Sequence, residues 1–218
     1  MTALVRYTLA NVVLSQRYLP AVLVFLVVLV VFTGADSGPL LPVYAVSAAA
    51  VFACGTWLTV VTINAEDPTQ RAVTVVNAGG SGRVLVASVW VAFAWCVFLG
   101  VIGLFYPLLT GHHRAVPAEF ALGAVAELTS ACTGIAVGLL CSRIVVRRTG
   151  VAVLAALAGI FAFLLVPGLP PVRSEFLLLA GGRPASAVLA PAVGFAAVAV
   201  VLLMGMSVLT RYVARRKD

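Results

Sequence analysis

The chain has 218 residues, of which 63% are hydrophobic and 10% charged, with a mean hydropathy of +1.16. Soluble domains carry about 45–50% apolar and about 25% charged residues, so a chain folded in water is excluded and the useful count is how many bilayer-length segments fit. The net charge of +7 falls in short stretches between apolar runs and at the ends, a pattern that sets membrane topology and attracts anionic lipid rather than nucleic acid.

The first residues, Thr2 to Arg17, place Leu4, Val5, Leu9, Val12 and Val13 at roughly helical spacing, with Arg6, Asn11, Ser15 and Arg17 elsewhere on the wheel. That spacing predicts a helix lying in the membrane interface. A first span follows at 18–32, with Pro20 in its first turn, where a missing N–H costs nothing. It ends in Thr33-Gly34-Ala35-Asp36 and leads directly into further spans, so it reads as a retained helix rather than a cleaved signal. Further spans are predicted at 43–63, 84–106, 120–140, 150–166 and 188–209, making six in all. Between the last two lies a Pro- and Gly-rich segment whose apolar patch, Phe176 to Leu179, predicts a short helix dipping into the membrane surface. The fold class expected is an all-α membrane protein, one transmembrane domain over 1–218.

Orientation follows from the basic residues. One side holds Arg6, Arg17, Arg71, Arg83, Arg143, Arg147, Arg148 and the four in the tail, Arg211, Arg215, Arg216 and Lys217; the other holds Arg114, Arg173 and Arg183. Eleven against three places both termini in the cytoplasm. Arg outnumbers Lys thirteen to one and Ala, Val and Gly abound, which suits a GC-rich bacterial genome and a bacterial cytoplasmic membrane. Cys54, Cys96, Cys132 and Cys141 lie in or beside apolar runs with no CxxC spacing, and read as small packing residues.

The loop from Asn64 to Arg83 is the most informative segment. Glu66, Asp67 and Pro68 stand where a helix begins, Thr69 to Asn77 supply two or more turns, and Gly79-Gly80-Ser81-Gly82 breaks it. A short helix held between two spans is expected, with a solvated connector as the plainer alternative. The glycines do not make a P-loop, since no Lys follows and no strand precedes. Ser81 lies at a loop end, away from any intramembrane His, so a rhomboid-type serine protease is not indicated. Glu66, Asp67 and Arg71 distantly resemble the acid and Arg set of CAAX-type proteases, but no intramembrane His completes it.

Glu127 is the one acid deep in a span, about 15 Å along the fourth helix, and a charge there is a functional hypothesis by default. Gly123, Ser130, Gly134 and Gly138 form a small-residue stripe beside it, suited to close helix packing. Glu127 with Ser130 either lines a translocation path or binds a cation, or else Glu127 makes a carboxyl hydrogen bond across a helix interface. His112 and His113 alone make a poor metal site, and no metal is expected.

The order of these features resembles the membrane-spanning permease subunits of ABC type-2 exporters. In that layout an interfacial helix, two spans, a cytoplasmic coupling helix and four further spans follow one another, with a partly re-entrant segment before the last. Thr2–Arg17, Glu66–Asn77 and Arg173–Gly181 match the three special elements. The resemblance implies a permease with no catalytic machinery of its own. ATP and Mg would be bound by a separate ABC ATPase dimer gripping Glu66, Asp67, Pro68, Thr69, Gln70 and Arg71. It also implies a second permease copy, identical or related, to complete the path. The rival expectation is an ATP-independent small transporter, or a structural membrane protein, using Glu127. The Ala/Val/Leu-rich spans favour a lipophilic or amphipathic cargo.

Overall fold

Backbone N–H and C=O groups have no water to bind inside a bilayer, so a chain this apolar must pair them within its own helices. A computed structural model describes all residues except 34–37, 111–115, 144–148, 167–170, 183–184 and 218, and those it describes form helices with no strand among them. In chain order these are α1 (Thr2–Ser15), α2 (Leu19–Thr33), α3 (Leu40–Ile63), α4 (Pro68–Ala78), α5 (Ser81–Thr110), α6 (Pro117–Leu140), α7 (Thr149–Leu165), α8 (Val172–Ala180) and α9 (Ala185–Lys217).

Among the described residues four helices are long and apolar enough to cross a membrane: α3, α5, α6 and, within α9, Ala187–Ala214. The α1–α2 pair passes the same criterion together, bent by 75° at a short break, and would make a fifth. The chain is therefore a multi-pass membrane protein with four or five spans by this measure, rather than a demonstrated six. The shortfall lies in α2 and α7. Their 15 and 17 residues reach only about 22–26 Å at 1.5 Å each, less than the roughly 30 Å hydrocarbon core. The bend between α1 and α2 centres on Gln16, a non-glycine residue in the left-handed region at φ 54°, and it separates the two segments that the sequence analysis treated as distinct.

Helix ends differ from the predicted spans where hydropathy and helix formation part company. Ser81 and Gly82, expected to belong to the break, instead open α5, because Gly79 and Gly80 suffice to end α4. The basic tail continues α9 to Lys217, and Arg216 sits over the Tyr212 ring at 4.7 Å one turn earlier. Positive charge at a helix C-terminus suits the dipole, so polarity there does not end the helix. Pro107 and Pro191 fall inside α5 and α9.

The α3–α6 contact is the centre of the bundle, and the small-residue stripe makes it. A Cβ on Gly134 would stand 2.6 Å from the Phe52 carbonyl, and one on Gly138 2.6 Å from Thr59 Cβ and 2.8 Å from the Thr56 carbonyl. Gly123 faces the Tyr44 ring just as closely. Backbone thus approaches backbone at Gly134 and Gly138, while Gly123 admits the Tyr44 ring, which is how helices gain dispersion energy where lipid removes the hydrophobic driving force. Phe25, Leu29, Val51, Leu58, Leu99 and Ile135 form one buried cluster around this axis. The cysteines behave as packing residues: all four are free and buried, with Cys96 Sγ filling the space over Gly55.

Candidate functional site

The connector between α3 and α5 is a built element. Pro68 occupies the first helical turn of α4 after Asp67, whose extended backbone (φ −66°, ψ 151°) makes it the N-cap. At the other end Gly79 (φ 74°) donates to the Val76 carbonyl at 3.1 Å and Gly80 to the Val75 carbonyl at 2.9 Å. That reciprocal pair is the Schellman arrangement, which requires the left-handed residue at Gly79. Arg83 adds a guanidinium bond to the Ala78 carbonyl at 3.0 Å.

Side chains tie α4 to its surroundings. Gln70 Nε2 donates to the Tyr7 hydroxyl of α1 at 2.8 Å, and Arg71 donates to the Ile63 carbonyl at the end of α3 at 3.3 Å. Glu66 accepts from Thr74 at 3.4 Å. Of the residues singled out in the sequence, Asp67, Thr69 and Gln70 are exposed, while Glu66 and Arg71 are half-buried against the bundle. The exposed side chains described on α4 are Thr69, Gln70, Ala72, Val73, Val76 and Asn77, and of these Thr69, Ala72, Val73 and Val76 are spaced i, i+3, i+4, i+7 along one stripe. Val73 and Val76 are 61% and 79% exposed. Their i, i+3 spacing on a short, otherwise polar helix is the sequence signal for that stripe, which the charge pattern alone does not reveal.

A second polar centre lies inside the bundle. Glu127 of α6 is buried and accepts a hydrogen bond from the Ser47 hydroxyl of α3 at Oε1. Gly100 and Gly103 of α5 give it room, since a Cβ on Gly103 would meet Glu127 Oε1 at 2.9 Å. Its other oxygen, Oε2, is buried with no hydrogen-bond partner among the described residues. Three helices thus converge on one carboxyl group, and the inter-helix hydrogen bond, one of the two alternatives the sequence leaves open for Glu127, is present.

Ser130 is not part of that convergence. It borders a void of only about 10 Å³ with Glu175 of α8, and Glu127 is not among the residues lining it. At about one water's minimum volume, that void has no room for a substrate. Glu175 is itself buried and accepts from Thr129 at 3.3 Å, docking α8 onto α6. Leu179 is buried beside it and Leu177 exposed, so the apolar patch is a short helix packed on the bundle. Glu175 and Ser47 were missed in the sequence, because one sequence does not say which helices touch.

Among the described residues no group of three or more His, Cys, Asp or Glu could hold a metal. His112, His113, Arg114, Arg147, Arg148 and Arg183 lie outside the described residues. Comparison of the chain with protein-family models, with curated proteins and with solved structures gives no match in any of the three.

Proposed function

We propose that the chain is the membrane-spanning permease subunit of an ATP-binding-cassette exporter of the type-2 class, powered by ATPase subunits on separate chains. The observation that carries this reading is α4. It is a capped helix suspended between two long helices, tied at both ends, with an i, i+3, i+4, i+7 stripe of one threonine and three apolar residues left bare. Helices that enter a partner's groove present anchors at that spacing. A helix so mounted passes a displacement of its partner to α3 and α5, because Arg71 ties it to the end of α3 and the Gly79–Gly80 turn leads directly into α5. The partner is an ABC ATPase dimer, which alone binds ATP and Mg. The contacts on this side are Thr69, Ala72, Val73 and Val76, with Asp67 and Gln70 beside them.

In this reading α2 and α7 complete six spans, local bilayer thinning accommodating their short length. Both termini and α4 face the cytoplasm of a bacterial cell. One copy supplies half a path, so two permeases associate, and the apolar spans suit a lipophilic or amphipathic cargo.

The test is recovery of the ATPase with a C-terminally tagged chain, solubilised mildly from its native host. An ATP-hydrolysing chain is expected to co-purify, and Val73→Asp/Val76→Asp is expected to cut its yield about tenfold or more, as loss of interface anchors does. Val201→Ala, on an exposed face of α9, is expected to leave the yield unchanged. Wild-type yield from the double variant, or no ATPase even after crosslinking, overturns the proposal. One observation favours a second reading, an ATP-independent transporter: the Oε2 of Glu127, buried in the bundle interior with no hydrogen-bond partner among the described residues.

A further inference from the structure

At the α4 end of the bundle, four arginines from four separate elements line one cleft of about 780 Å³. They are Arg71 of α4, Arg83 of α5, Arg143 just after α6 and Arg211 of α9. Glu66 is the one acid among the described lining residues, which together carry an excess of three positive charges. The placement is structural. Asn64 Oδ1 accepts the Arg143 backbone N–H at 3.1 Å and fixes where that chain segment enters. The Arg211 guanidinium lies over Gly82, where a Cβ would stand 2.7 Å from its Nε. Like charges gathered in one recess repel, and an anion relieves that cost. Guanidinium groups match phosphate oxygens in particular, with paired N–H donors.

The cleft does not end at the arginines. Arg211 also borders a second, smaller groove of about 150 Å³ between α5 and α9. Its other walls are Leu85, Val86, Val89, Trp90, Ser207 and Val208, apolar apart from the one serine. Trp90 and Val208 are 60% and 68% exposed, so this groove opens on the flank of the two long helices where acyl chains lie. A basic recess leading through one arginine into an apolar groove has the polarity of a phospholipid, head to tail.

We propose that this pair of cavities is a binding site for an anionic phospholipid, its phosphate-bearing headgroup among Arg71, Arg83, Arg143 and Arg211 and an acyl chain along α5 and α9 beside Trp90. Bound there, the lipid bridges the α4–α5 turn, the end of α6 and the end of α9, and steadies α4. The site rests on the arginines and the groove and does not depend on the ATPase reading.

The test is native mass spectrometry of the detergent-purified full chain with phosphatidylglycerol and phosphatidylcholine of identical acyl chains, at equal concentration. Phosphatidylglycerol adducts are expected to exceed phosphatidylcholine adducts by about tenfold, a discounted figure for three excess charges near a membrane surface. Arg83→Gln/Arg143→Gln/Arg211→Gln is expected to bring that ratio close to one, and the matching Arg→Lys variant to keep most of it. Glycerol 3-phosphate, a headgroup without chains, is expected to compete poorly. Equal retention of the two lipids by the wild-type chain overturns the proposal without reference to any variant, as does an unchanged preference in the Gln variant. Full competition by glycerol 3-phosphate overturns it in favour of a site for soluble phosphate compounds.

Discussion

Replacing Gly134 by alanine is expected to lower the thermal midpoint of the detergent-solubilised chain far more than the same change at Gly205. The new methyl group would stand 2.6 Å from the Phe52 carbonyl and 3.2 Å from the Thr56 nitrogen, all backbone atoms that no rotamer change can move. The helices must separate or slide, and overpacking of this kind costs about 1–3 kcal/mol or more. Leucine at 134 is expected to abolish recovery of folded protein. At Gly205 nothing lies within 4 Å of the added methyl group, and alanine improves helix propensity by about 1 kcal/mol, so the midpoint should hold or rise. Equal midpoints for the two alanine variants would mean that α3 and α6 do not meet backbone to backbone.

The Ser47–Glu127 contact carries the second large effect. Ser47→Ala removes the hydroxyl that donates to Oε1, in a carboxyl group whose Oε2 already lacks a partner among the described residues. A buried acceptor left unmet costs about 1–3 kcal/mol, and more where the group is charged. Glu127→Gln, which keeps the carbonyl oxygen as acceptor, is expected to cost less than Ser47→Ala. In the double variant Ser47→Ala/Glu127→Leu part of the loss should return, because replacing both members of a buried polar pair removes the unmet group. A double-mutant cycle on the thermal midpoints checks this, with a coupling of about 0.5–3 kcal/mol expected between contacting residues. Additive effects would contradict the contact.

The parts of the molecule legible in its sequence are those that local chemistry determines. Pro68 and Gly79 bracket α4 because one lacks an N–H where none is needed and the other adopts φ 74° where other residues are strained. The stripe of Gly123, Gly134 and Gly138 announced a close helix contact, and the structure identifies the partner as α3. What could not be read were the identities of partners across the bundle. Nothing in the local sequence around Ser47 or Glu175 distinguishes them from other polar residues beside apolar runs, and their roles appear only when α3 and α8 are packed on α6. Polarity alone does not end these helices. Ser81, Gly82 and the arginines after Leu209 are helical because flanking turns continue through them, and their charge is accommodated at the helix end. On α4 the charge pattern points to Glu66, Asp67 and Arg71, whereas Val73 and Val76 are among its exposed side chains.

The central claim, that α4 meets a separate ATPase through its bare stripe, is tested most directly by a photo-crosslinking amino acid at Val73, which is exposed and lies outside the arginine cleft, in living cells. The account predicts a single major adduct whose partner, identified by mass spectrometry, carries the GxxxxGK[ST] phosphate-binding loop. The same crosslinker at Val201 on α9 should give no such adduct. Adducts only to lipid, or to proteins without a nucleotide-binding loop, would contradict it and turn attention to Glu127.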